Sequence, residues 1–193
     1  MDGEQAPALL SVPDARARVL ALCSPLQRED APVDSAVGRA LAEAVIATRT
    51  VPPWDNSAMD GYAVRSADVA APGARLAVVQ TIAAGQTPSR PIGPGECARI
   101  MTGAPLPEGA DAVVMQEKAR RAGDTVELLE AARPRQHVRD RGEDAREGQP
   151  LLAAGTVLGI PEAGLLWAQG LTRVPVPKRP KVAVLSTGDE LCP

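Results

Sequence analysis

From Thr50 to about His137 this sequence is punctuated throughout by prolines and glycines. Between the breakers lie short runs of apolar, often β-branched residues, at 62–65, 75–82, 97–101, 112–116 and 126–129. Short apolar runs separated by turn formers read as the strands of a β-rich module. Pro91 and Pro94 fall between runs, where turns belong. The chain has no Phe, one Tyr and two Trp, so Val, Leu, Ile and Ala must fill the core. Such side chains suit sheets packed at close range.

The flanks read differently. Ser11 is a helix cap, with Pro13 and Asp14 in the first turn. Ala15, Val19 and Leu22 then form one stripe, which plain packing would bury. Ser24-Pro25 stops this helix. A second begins at Asp34, with Val37 and Leu41 at helical spacing, and Gly38-Arg39 makes it short or bent. Residues 44–50 read as extended. Past the module, 150–158 alternates around Gly155 as a hairpin or paired short strands. Pro161 opens a helix that runs to about Ala168 and ends at Gly170, and 172–176 is a strand. The expected domains are therefore 1–50 with 138–178, a discontinuous helix and β linker domain, and 51–137, the inserted β module. Residues 179–193 stand apart. There a continuous apolar run, 181–185, leads into Ser186-Thr187-Gly188-Asp189-Glu190, as the first strand of a parallel α/β sheet leads into an anion-binding turn. A parallel strand needs crossover units, and none follows, so the chain reads as a fragment of a longer protein.

Charge and composition narrow the function. Twenty-one basic and 24 acidic residues leave a net charge of −3. That gives no footprint for nucleic acid and no basic face for a membrane. Cys23, Cys97 and Cys192 are far apart, and His137 is the sole histidine. This argues against a zinc site, a disulfide framework or a Ser-His-Asp set, and for a reducing cytosol. The N-terminus lacks the order of a signal peptide. No apolar run approaches the roughly 20 residues of a membrane span.

Two polar stretches carry the candidate chemistry. The first, 52–64, reads PPWDNSAMDGYAV. Asp, Asn and Ser bend chains by bonding their own backbone, so one reading is a structured turn. The other is a loop presenting Asp60 next to Gly61, where a ligand could approach the backbone. The second stretch, 100–111, delivers Thr102-Gly103 from a strand into a proline-fixed loop. It is either a turn or a place where the Thr102 hydroxyl and adjacent amides orient an oxyanion. Asp60, Asp144 and Glu190 each adjoin a glycine-bearing turn. Each is a solvated surface charge unless the three converge, in which case they suit Mg²⁺, which takes oxygen ligands.

Four runs in order, PPWDNSAMDGYAV, GECARIMTGAPLPEGADAVVMQE, the segment containing RGEDAREGQPLLAAGT, and RPKVAVLSTGDEL, resemble the molybdopterin molybdenumtransferase family, including its gephyrin E-domain relatives. The resemblance covers nearly the whole chain and breaks off at the first strand of the family's α/β molybdopterin-binding domain. It implies a mainly β fold with flanking helices (α+β), an elongated two-domain N-terminal region with an inserted β module. It implies a longer parent enzyme that inserts molybdenum from molybdate into adenylylated molybdopterin with Mg²⁺ and releases AMP. It also implies a cytoplasmic homodimer with its cleft shared between subunits, and a molybdopterin adenylyltransferase as partner. On the matching positions, Asp60, Thr102, Asp144 and Glu190 are the catalytic residues. Ser57, Gly103, Thr187 and Gly188 bind the cofactor, and Asp60, Asp144 and Glu190 hold the metal. The alternative is a non-catalytic dimerisation or scaffold module of gephyrin-like type.

Overall fold

A computed structural model describes residues 10–24 and 26–184. The described residues form two compact units. One combines the two ends of the chain, up to Val45 and from Leu152 onward; the other is Ile46–Leu151. The fold is mainly β with flanking helices.

In the first unit, α1 is Val12–Ala21, with Ser11 at its cap accepting a hydrogen bond from the Asp14 amide at 3.3 Å. None of its residues is buried, and Val19 and Leu22 are 61 % and 87 % exposed. The expected burial of that stripe is corrected: its apolar face finds no partner among the described residues. Strand β1 (Arg28–Pro32) runs directly into α2 (Val33–Ala36), a single turn that ends where Gly38 adopts φ +83°. Strand β2 (Val45–Ile46) is all that forms of the extended run expected at 44–50. Helix α3 (Ile160–Ala168) opens on Pro161, and the Glu162 carboxylate accepts from the Gly159 amide at 2.8 Å. β1 pairs antiparallel with β12 (Arg173–Pro177). Ala31, Val33, Ala36, Leu41, Leu158, Ala163, Leu166, Val174 and Val176 are buried in this unit, where α2 packs on β1, β12 and α3. Residues 150–158 do not fold back on themselves. Their strand β11 (Pro150–Leu152) pairs with β2, and Val157 bridges Ala40. Residues 181–184 form no strand, since no described strand lies beside them; the rest of the expected strand and its turn lie outside the described residues.

The second unit is built on a six-stranded sheet. Its strands in chain order are β4 (Gly61–Val64), β5 (Ala74–Ile82), β6 (Glu96–Ile100), β7 (Ala112–Met115), β8 (Ala119–Ala122) and β9 (Thr125–Leu128). Across the sheet the order is β7-β4-β6-β5-β9-β8, with only β5 and β6 parallel. Five of these strands fall within a residue of the apolar runs. β8 was missed because its sequence, ARRA, carries no apolar pattern. Arginines on such an edge strand discourage pairing with another chain. Alternating residues feed two cores. Tyr62, Val64, Leu76, Cys97, Val114, Val126 and Leu128 belong to one, and Ala63, Ile82, Ala98, Ile100 and Val113 to the other. Neighbours along a strand point to opposite faces, so the sheet is covered on both sides.

Two short strands complete the unit: β3 (Asn56–Ser57) and β10 (Val138–Arg139), paired antiparallel. This pairing, with Asp144 N bonded to Val51 O, draws 138–151 into the same unit as 52–64. The module therefore extends past the sequence-derived limits of 51 and 137, and Asp144 falls in it rather than in the linker domain.

Candidate functional site

The register of β4 against β6, Gly61 opposite Ile100, brings the residue before one strand beside those after the other. Asp60 and Thr102 meet there. The Thr102 amide donates to Asp60 Oδ1 at 2.7 Å and its hydroxyl donates to the same oxygen at 2.8 Å. Oδ2 makes no hydrogen bond or ion pair among the described residues and is open to a ligand. The Thr102 amide chiefly, then its hydroxyl and the charge of Arg99, hold the Asp60 carboxyl below the usual carboxylate range.

Gly61 follows Asp60 for a packing reason. A Cβ there would lie 2.1 Å from the Val114 carbonyl oxygen. The space that the sequence offered to a ligand is therefore filled by β7. Gly103 differs: its φ is +81° and nothing lies within 4 Å of a Cβ built on it.

The other residues of 52–64 tie this pair to two further segments. Ser57 N donates to Ala104 O at 3.0 Å and Gly103 N donates to Ser57 O at 2.8 Å. Toward the other side, Ala58 N donates to His137 O, Gly142 N to Pro52 O, and Arg141 Nε to Pro53 O. Asp55 joins both sides. Its carbonyl accepts from Leu106 N, and its carboxylate accepts from Arg141 N and from Arg135 Nη1, each at 2.8 Å. The Arg141 amide is the main cause of its lowered pKa. Arg135 and His137 hold positive φ values of +64° and +52°, unusual for residues with side chains.

These contacts sort the predicted site residues. Asp60 and Thr102 touch. Asp144 lies in the same unit but is exposed, and its carboxylate faces Arg139 Nη2 at 3.4 Å. Ser57 is fully buried; its hydroxyl donates to Met59 O and accepts from Met59 N, which fixes the turn. Of the groups read as orienting an oxyanion, the Thr102 amide and hydroxyl both donate to Asp60 Oδ1 and the Gly103 amide donates to Ser57 O. Thr187, Gly188 and Glu190 lie outside the described residues. Among the described residues, no three His, Cys, Asp or Glu side chains cluster as a metal site. The oxygen chemistry of Asp60 Oδ2 suits Mg²⁺, but it is a single donor there.

A cavity of about 310 Å³ opens beside the Asp144 segment, lined by Thr50, Arg141, Arg146 and Glu147; Asp60 and Thr102 do not line it. Sequence reading missed Arg99 and Gln116, which close around Asp60. Arg99 Nη1 donates to Gly61 O at 3.1 Å, and Nη2 donates to Gln116 Oε1. Pairing the 62–65 run with the 97–101 run would have pointed to Arg99, opposite Tyr62.

A family model described as MoeA N-terminal region (domain I and II) matches residues 10–170. The chain belongs to this family. Molybdopterin molybdenumtransferases from Nostoc sp. and Haemophilus influenzae are 46 % identical over 161 residues and 41 % identical over 186. These matches cover 81 % and 95 % of this chain but only 37 % and 46 % of the relatives. Two crystal structures of the molybdopterin biosynthesis MoeA protein from Pyrococcus horikoshii align with TM-scores of 0.75 and 0.77, at 35 % and 34 % identity. They cover 78 % and 96 % of this chain, which spans 41 % and 50 % of theirs. The chain matches the family's N-terminal region and spans less than half the length of these curated relatives. No described helix is long and apolar enough to cross a membrane.

Proposed function

We propose that this chain supplies the Asp60–Thr102 side of an active site in a longer enzyme of molybdenum cofactor biosynthesis. That enzyme inserts molybdenum from molybdate into adenylylated molybdopterin and releases AMP. The observation that carries this reading is the Asp60–Thr102 pair, with one carboxylate oxygen saturated and the other open, in a chain of the MoeA family. Fixing one oxygen with two donors orients the other without further reorganisation.

Both substrates are anionic, and carboxylates repel anions unless a cation stands between them. Asp60 Oδ2 is the one described donor for Mg²⁺, and Asp144 and Glu190 would complete the set in the longer protein, where bound Mg²⁺ would supply Lewis acidity and a template for oxyanions. Ser57 and Gly103 shape the loop that presents Asp60. Thr187 and Gly188 carry the anion-binding role implied for the turn before Glu190. The exposed apolar face of α1 supports assembly with a second copy of the chain. The adenylylated substrate requires a molybdopterin adenylyltransferase upstream, and the cytoplasm is the compartment that fits the free thiols.

The test uses the longer protein that carries this chain. AMP release from adenylylated molybdopterin is followed with molybdate under saturating Mg²⁺. Asp60→Ala should lower turnover by about 100-fold, the scale of losing one oriented electrostatic group. Turnover unchanged by Asp60→Ala ends the reading. An inactive wild type that still self-associates would favour the scaffold alternative.

A further inference from the structure

Four residues form a closed ring around the candidate carboxylate. Gln116 N donates to Asp60 O at 3.0 Å. Arg99 Nη1 donates to the next carbonyl, Gly61 O, at 3.1 Å. Arg99 Nη2 closes the ring by donating to the side-chain oxygen of Gln116. The guanidinium also lies over the Tyr62 ring, 5.2 Å from its centroid. Arg99 comes from β6, Gly61 from β4, and Gln116 follows β7. The ring therefore ties three adjacent strands together at the sheet end from which Asp60 projects.

Arg99 makes no ion pair within 4.0 Å with any described acid, since its donors go to neutral oxygens. A guanidinium used in this way keeps its full charge. That charge is close enough to Asp60 to act on its carboxyl. A planar fork that spans two acceptors and stacks on a ring is held in one orientation, which a lysine could not reproduce.

We propose that Arg99 is the positioning residue of this site: with Gln116 it fixes the two carbonyls that follow the Asp60 side chain, its own and that of Gly61. This rests on the reading of Asp60 as a functional carboxylate. Its role is to aim Asp60. It forms no bond with the reacting atoms.

Arg99→Gln, Arg99→Lys and Gln116→Ala in this chain test the bracing, which amide hydrogen exchange at Gln116 and Thr102 reads. In Arg99→Gln the Gln116 amide should exchange about 10-fold faster, the scale of one lost hydrogen bond. Arg99→Lys should show the same faster exchange, because a lysine does not span both acceptors. Gln116→Ala, which opens the ring at Arg99 Nη2, should raise exchange at position 116 as well. If Arg99→Gln leaves the Gln116 amide as protected as in the wild type, the proposal is wrong. It is equally wrong if exchange rises evenly over all six strands, because Arg99 would then only stabilise the sheet. In the longer protein, Arg99→Gln should lower kcat with KM changed less than about 3-fold, as for an interaction made in the transition state. A longer protein with no molybdenum transfer at all would sink the functional reading while leaving the exchange result to decide on Arg99.

Discussion

Thr102 gives both its amide and its hydroxyl to one oxygen of Asp60, at 2.7 and 2.8 Å, and leaves the other oxygen free. Two donors on the ionised form favour ionisation, so the folded-state pKa lies below the unfolded one. The stabilisation is present above the unfolded carboxylate value and is lost as pH falls through the folded value. Thr102→Ala removes the hydroxyl but leaves the amide, which is the larger cause. The Asp60 midpoint should therefore rise only part of the way to its ordinary value, and acid unfolding should begin at slightly higher pH. Thr102→Ser should restore both. An Asp60 titration unchanged in Thr102→Ala would show that the hydroxyl bond is not made in solution.

Gly61 and Gly103 flank this pair and should respond in opposite ways to the same substitution. At Gly61 a methyl would lie 2.1 Å from the backbone oxygen of Val114. Backbone in a buried sheet cannot step aside, so Gly61→Ala should cost about 3 kcal/mol, the upper range for overpacking. At Gly103 the space is open and only the φ of +81° resists. Gly103→Ala should cost about 1 kcal/mol, the lower end of the left-handed penalty. Urea denaturation measures both. Equal losses at the two positions would contradict this account.

The sheet strands were legible because their apolar runs sit between prolines and glycines, a local signal. The links that build the site are long-range and were not. Nothing local in Asp55 announces that it will join Leu106, Arg135 and Arg141. Nor does Arg99 reveal that its fork will bridge Gly61 and Gln116. Ser57 came in through the family resemblance, and its sequence neighbours do not announce that it is fully buried with two bonds to Met59. The α1 stripe was legible as a pattern, but periodicity cannot say which chain will cover it.

Cys97 should be silent toward thiol reagents in the folded chain. It is fully buried in the sheet core, and burial pushes its thiol up to about 12. The thiolate is the reactive form, so neither access nor ionisation favours reaction near pH 8. Cys23, which is exposed, should react at once. With Cys23 and Cys192 replaced by Ser, the Cys97 labelling rate should follow opening of the sheet and rise with urea. Fast labelling without denaturant would mean that this core opens locally.

Self-association should depend on α1. Val12, Val19 and Leu22 are 82 %, 61 % and 87 % exposed and lie on one side of the helix. Helix formation by an isolated ten-residue segment is marginal in water, so a helix with no buried residue needs a partner surface. Burying one Val or Leu side chain contributes about 1.5–3 kcal/mol. Val19→Glu with Leu22→Glu should therefore weaken a dimer by about 100-fold or more, and any loss of far-UV circular dichroism should be limited to the ten residues of α1. Sedimentation velocity across a range of concentrations reads the result. A wild-type chain that stays monomeric at high micromolar concentration would remove the second copy as the partner of this face.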